Sequence, residues 1–354
     1  MVVQSQTLVE AVNPTKPAPR LDLVGGNMEN WMEELRTVGW TVIPNTISEE
    51  RAAEYVDHAY TWLESWGFGF DRNDPSTHTT AQLPFHIRGG LYNRLSIAHQ
   101  QWVWDLKSEP SLVEKFEQIW GTKELLVSYD GLNMSIPDKT REASDPALKP
   151  WPHVDQSPYR HNLQCVQGIL NLLPNGPEDG GLMVLQGSNA LYTELWQHFD
   201  HKKPAEGWNK WEMQPLDDEM VDWLISKGCK WVKVCPNPGD LMLWDSPVSV
   251  VIVIIIIIII LFFFIILIFI IKCFWNAVDA ALTPPQTHVS EEARQQRKEA
   301  WESKSNTAHD PAVIRIMPRL PPPEHPQYEK VKARPVPEPK LSARARQLAG
   351  LDEY

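Results

Sequence analysis

His153 and Asp155 lie in the stretch Pro150-Trp151-Pro152-His153-Val154-Asp155-Gln156-Ser157-Pro158, where residue types and spacing suit metal chemistry. In an extended chain residues i and i+2 face the same side, so this imidazole and carboxylate can address one point. They make two thirds of a facial set of two His and one carboxylate, which holds Fe(II) on one face and leaves three positions open. The pattern alone is unspecific. His198-Phe199-Asp200 repeats it in a stretch that reads as helix, where i and i+2 do not share a face. Gln167 and Asn133 are candidates to face an interior and hydrogen-bond a co-substrate, or equally to be satisfied polar groups between strands. Cys165 reads as a buried thiol on an apolar strand, and Asp245 as a strand end held by backbone hydrogen bonds.

The elements that must position these residues are helical first and β-like afterwards. A helix is expected at 28–37, a strand at Trp40–Ile43 ended by Pro44, and a helix from Ser48, whose hydroxyl can cap a first turn containing Glu49 and Glu50. Residues 67–98, rich in Gly, Pro and aromatics, read as an ordered loop over a mouth, followed by helices near 99–107 and 111–120. Short β-like segments follow at Leu125–Tyr129, Leu163–Leu173, Gly181–Leu185, Trp231–Val234 and Asp240–Trp244, separated by turns such as Pro236-Asn237-Pro238-Gly239-Asp240. This order predicts a mainly β fold with flanking helices, an antiparallel barrel or double-sheet jelly roll with helical packing on one side. Beyond it, Val289–Lys304 reads as a polar helix and Pro318–Pro339 as an extended Pro-rich tail.

Together, Gly39-Trp40-Thr41-Val42-Ile43-Pro44, Leu126-Val127-Ser128-Tyr129-Asp130-Gly131, the His-x-Asp block, Gln164-Cys165-Val166-Gln167-Gly168 and Gly239-Asp240-Leu241 resemble the phytanoyl-CoA dioxygenase family in its fungal form. A weaker likeness resumes at Ala281-Leu282-Thr283-Pro284. The resemblance implies a double-stranded β-helix of jelly-roll or cupin type, Fe(II) and 2-oxoglutarate as cofactors, and hydroxylation of a small organic substrate. It implies His153 and Asp155 as the first two iron ligands, with a third His expected within about four residues of Trp244-Asp245-Ser246. No His stands there, and the family's arginine for the distal carboxylate of 2-oxoglutarate is missing from the following strand. His288, His309 and His325 lie further on, in segments whose family counterparts sit outside the metal centre. The enzyme reading therefore stands beside two others, an inert binding domain of the same fold and a single-pass membrane protein.

Where the missing strands belong, the chain runs from Val250 to Ile271 through 22 residues with no polar side-chain atom, 13 of them Ile and 4 Phe. As a helix the run would be roughly 33 Å long, enough for a bilayer core, so it is a transmembrane candidate. It lacks small residues for helix packing and interfacial Trp or Tyr, and T-rich or A-rich non-coding nucleotide sequence would translate to such a run. A single buried strand of that length would extend about 70 Å and the run offers no turn residue. The expected organisation is a disordered leader at 1–27, a partial β-helix at 28–246, the apolar run at 248–272 and a C-terminal helix and Pro-rich tail at 273–354. Localisation follows the run: membrane if it is a span, cytoplasmic otherwise.

Composition bounds the rest. Across 354 residues, 43% hydrophobic and 22% charged content is that of a globular chain, not a collagen or a disordered one. Lys and Arg number 33 against 45 Asp and Glu, a net charge of -12 with no basic stripe, which argues against nucleic acid as a partner. Four cysteines without paired short spacing make neither a disulfide framework nor a zinc ribbon. No cleaved targeting signal is visible at the amino end, and the final Asp-Glu-Tyr is not a peroxisomal address.

Overall fold

Among the described residues, apolar runs between Gly/Pro turns form thirteen short strands: β1 Trp40–Ile43, β2 Leu91–Tyr92, β3 Leu126–Val127, β4 Leu132–Asn133, β5 His153–Val154, β6 Val166–Asn171, β7 Gly181–Gln186, β8 Gln214–Pro215, β9 Lys230–Lys233, β10 Leu241–Asp245, β11 Ser249–Val253, β12 Ile266–Phe269 and β13 Ile271–Lys272. The computed structural model describes residues 31–354 except 137, 139, 141–148, 161–164, 211–212, 254–265, 270, 273–289 and 312–313. The expected leader at 1–27, His288 and the Ala281-Leu282-Thr283-Pro284 likeness fall outside the described residues.

The strands form a six-stranded sheet in the order β1-β10-β6-β12-β4-β2, a five-stranded sheet in the order β8-β5-β11-β7-β9, and the pair β13-β3. All strand pairings in these sheets are antiparallel. Trp40, Ile169, Met242 and Trp244 from the first sheet pack with Leu182, Val184 and Val250 from the second in one buried cluster, the layer between the sheets. Residues one position away face outward: Val166, Leu170, Leu241 and Leu243 pack with Leu35, Tyr55, Leu63, Leu106 and Phe116 of the amino-terminal helices. Val154 and Leu185 cover the other outer face against Leu195, Trp196, Met220 and Leu224, on the helices Tyr192–His198 and Asp218–Ser226. This is a two-sheet β-helix, as the strand pattern implied, but with helices packed on both outer faces where packing on one side was expected. The tryptophans Trp31, Trp62, Trp66, Trp102 and Trp120 are core packing.

Local chemistry explains the boundaries. The helix Glu49–Glu64 begins where Ser48 Oγ accepts from Arg51 N at 3.2 Å. Gly239 has φ +86, and a Cβ there would stand 2.2 Å from the Ile47 carbonyl oxygen, so the turn into β10 admits only glycine. Gly239→Ala should destabilise the protein by about 2 kcal/mol or more in urea titration, combining left-handed strain with a backbone clash.

The transmembrane helix expected at Val250–Ile271 is not what the structure forms. Its beginning is β11, which pairs with β7 and β5, and its end supplies β12, paired with β6 and β4, and β13, paired with β3. No helix among the described residues is long and apolar enough to cross a membrane. The physical reason is the Ile and Val content, since β-branched residues favour strands over helix. The run splits between two sheets, which removes the length objection to a single strand, and its backbone occupies the slots that would otherwise leave the β-helix incomplete.

The C-terminal third is more structured than a Pro-rich tail suggests. Ser290 caps the helix Glu291–Glu302, whose Arg297 is buried and donates to the carbonyls of Val127 and Ala349 at 2.9 and 2.7 Å. Pro318–Pro339, expected extended, contains the helix Tyr328–Ala333. The stretch from Ser305 to Pro311 is buried, with Thr307 N donating to the Tyr129 carbonyl at 2.9 Å and Tyr129 N to Thr307 Oγ1 at 3.0 Å.

Candidate functional site

β5 is only His153 and Val154, held between β11 and β8. His153 lies directly opposite Val250, and Val250 belongs to the layer between the sheets, so His153 faces the interior while Val154 packs outward. Just past the strand, Asp155 N donates to the Ser246 carbonyl at 3.0 Å, which fixes the carboxylate beside the end of β10. Both side chains are buried, and His153 Nε2 stands 3.3 Å from Asp155 Oδ1. The inward convergence expected from the i, i+2 spacing is realised.

Hydrogen bonds set what those atoms present. His153 Nδ1 is 2.9 Å from the Trp151 carbonyl, which can only accept, so Nδ1 carries the proton and Nε2 of the neutral ring offers a lone pair. Trp244 Nε1 donates to Asp155 Oδ2 at 3.2 Å, turning Oδ1 toward His153. In the neutral ring two acceptor atoms would face each other in this buried space, so the arrangement calls for a cation between them, either a proton shared by Nε2 and Oδ1 or a metal. Burial pushes the Asp155 carboxyl up, but the neighbouring His153, by its charge and by a hydrogen bond to the carboxylate, outweighs it, and with His309 and the hydrogen bond with Gln167 leaves the carboxyl at about 2. The ionised carboxylate and the imidazole tautomer are those a divalent metal needs. Trp151 stacks on the His153 ring at 4.0 Å and 2°, and the Arg88 guanidinium lies 4.1 Å over Trp151, so the ring is clamped in orientation.

Gln167 is brought to the site: it bonds Asp155, and its Nε2 donates to Ser246 Oγ at 3.5 Å. Asn133 is buried on β4, where its Oδ1 accepts from Ser135 Oγ at 2.6 Å. His198 of the second His-x-Asp is on a helix, stacked on Trp223 at 5.0 Å, as the helical reading of that stretch required. Cys165 is buried. Asp245 does end β10, with its N donating to the Gly39 carbonyl at 2.8 Å, yet its buried Oδ1 has no hydrogen-bond partner among the described residues.

Three neighbours escaped sequence reasoning. Trp151 carried a usable signal, since it precedes His153 by two residues and shares its face. Arg88 carried none. His309 was expected to lie away from the metal centre, but its Nε2 is 3.1 Å from the Asp155 carbonyl and its Nδ1 4.0 Å from Asp155 Oδ1. No local pattern could show this contact across 154 positions. Among the described residues, no three His, Cys, Asp or Glu side chains already form a group able to hold a metal ion.

No family model matches the chain. The Ava biosynthesis cluster protein O of Aspergillus versicolor is 36% identical over 255 residues, spanning 68% of this chain and 79% of that protein. A Dictyostelium discoideum protein named "Putative phytanoyl-CoA dioxygenase" is 23% identical over 252 residues, 61% of this chain and 68% of its own. Among solved structures, the GlcNAc-inducible gene 2 protein of Candida albicans superposes with a TM-score of 0.53 at 12% identity, over 91% of this chain and 76% of that one, a likeness of fold alone.

Two facing sheets enclosing an inward imidazole and carboxylate define a double-stranded β-helix protein of the oxygenase class. Within that class, the chain belongs to the phytanoyl-CoA dioxygenase family, whose members are iron(II)- and 2-oxoglutarate-dependent oxygenases.

Proposed function

We propose that this chain oxidises a small organic substrate with Fe(II) and 2-oxoglutarate, and that His153 Nε2 and Asp155 Oδ1 are two of the metal's ligands. The observation that carries this is the buried pair of lone-pair donors 3.3 Å apart, each oriented from behind by Trp151 and Trp244. Cis ligands about 2.1 Å from a metal stand roughly 3 Å apart, close to that separation. Iron bound there would activate dioxygen, while 2-oxoglutarate supplies two electrons as it is converted to succinate and carbon dioxide. Burial excludes bulk water from the pair, and Gln167 holds the carboxylate. Asn133 is the second candidate polar group; its Oδ1 accepts from Ser135 Oγ, which leaves its amide N–H groups to bond a co-substrate. A small-molecule substrate is supported by the biosynthesis-cluster name of the Aspergillus versicolor relative. We take the working unit to extend beyond residue 246, because β11 and β12 complete both sheets.

Purified protein supplied with Fe(II), ascorbate and 2-oxoglutarate in air should form succinate, even without its own substrate. His153→Ala should lower that rate, and the affinity for Co(II), by about tenfold or more. A wild-type chain that takes up no metal and forms no succinate would instead be a binding domain on the same fold.

A further inference from the structure

Resting on the reading above, we propose that His309 Nδ1 is the third protein ligand of the metal, supplied from the C-terminal segment in place of a histidine on the strand after β10. The tautomer follows from its partner. Nε2 faces the Asp155 carbonyl at 3.1 Å, and a carbonyl can only accept, so Nε2 carries the proton and Nδ1 keeps a lone pair. That lone pair is 4.0 Å from Asp155 Oδ1, the same oxygen that His153 Nε2 approaches at 3.3 Å. Two imidazole nitrogens, each with the opposite edge of its ring bonded to a backbone carbonyl, thus stand at 3.3 and 4.0 Å from one carboxylate oxygen, whose partner oxygen is held by an indole. Each protein ligand of a metal characteristically has such an outer partner.

The position of His309 is built, not incidental. It is buried, and the residues flanking it are anchored: Arg160 Nη1 pairs with Asp310 Oδ2 at 2.7 Å, and Thr307 is bonded at N and Oγ1 to Tyr129. Arg160 follows Asp155 by five residues, so one ion pair ties the His-x-Asp loop to the segment bearing His309. Without metal the three donors do not yet form a coordinating group. Closing the 4.0 Å gap to the roughly 3 Å of cis ligands takes a movement of about 1 Å, within reach of a side-chain rotation when a divalent cation compensates the mutual repulsion of the lone pairs.

The test is anaerobic Co(II) binding to the full-length chain, read by visible absorption and proton NMR. Wild type should show two slowly exchanging, paramagnetically shifted imidazole N–H signals, from His153 and His309, whose N–H groups are both held by carbonyls. His309→Gln keeps a donor for the Asp155 carbonyl but has no nitrogen at the Nδ1 position; it should lose one signal and weaken Co(II) binding about tenfold or more. His325→Ala, whose ring packs edge-on against Phe85, should leave both unchanged. One shifted N–H in wild type, or wild-type affinity in His309→Gln, overturns the proposal while leaving His153 and Asp155 as ligands. Co(II) uptake by Val250→His but not by wild type also overturns it and keeps the pocket; uptake by neither sinks both readings.

Discussion

Val250→Asn would add only a weak donor, but Val250→His is expected to bind Fe(II) or Co(II) on the order of 100-fold more tightly than wild type, about 2.7 kcal/mol. Val250 pairs directly with His153 across β11 and β5, and directly opposed residues in an antiparallel pair place their Cβ atoms roughly 5 Å apart on one face. It is buried, and it is the fourth residue after Ser246, the outer limit at which the family resemblance expects the third ligand. An imidazole there meets the lone pair of His153 Nε2 and the Asp155 carboxylate from the strand side. The substitution also puts a polar ring into an apolar layer, which costs about 1–3 kcal/mol while no metal is bound. Isothermal titration with Co(II) and thermal unfolding with and without the ion check both halves: the variant melts lower than wild type when metal-free and gains more on loading. Equal Co(II) affinity in the two proteins would show that the Val250 side of His153 does not open onto the metal position.

Asp245→Asn is expected to stabilise the protein at pH 7 by up to about 4 kcal/mol, by an effect that grows with pH. Burial pushes the Asp245 carboxyl up to about 8, against a backbone hydrogen bond at Ser246 that lowers it. Between the ordinary value of 3.8 and about 8, the folded protein holds a proton that the unfolded chain has released. Unfolding therefore becomes easier as pH rises through that window, and the contribution of this carboxyl to stability is fully present only below it. Asparagine has the same shape and no charge to bury, so its urea-unfolding curve should lack this slope. Parallel titrations at pH 5 and pH 8 decide the matter: a constant difference between the two proteins would mean that Asp245 is ionised in the fold.

Part of this was legible in the sequence because its causes are local. The shared face of His153 and Asp155 follows from two-residue periodicity, and the pair is found converging at 3.3 Å. The start of Glu49–Glu64 follows from Ser48, and apolar runs between Gly and Pro turns locate β1 to the residue and β6, β7 and β10 to within three residues at their ends. The helix Asp218–Ser226 went unrecognised, since a nine-residue amphipathic segment between two turns carries little signal of its own.

By itself, the sequence determined which side chains can bind a metal, which segments extend, and the absence of a histidine on the strand that follows Ser246. Only the tertiary structure decided where the apolar run goes and what surrounds Asp155. A run with no polar residue has no alternation to choose a face or a register, so its ends are assigned by the open hydrogen-bonding edges of β5, β7, β6 and β4. His309 and Arg160 reach the carboxylate and its loop because buried polar groups must find partners, and across 154 and 150 positions those partners are chosen by packing and not by any local pattern.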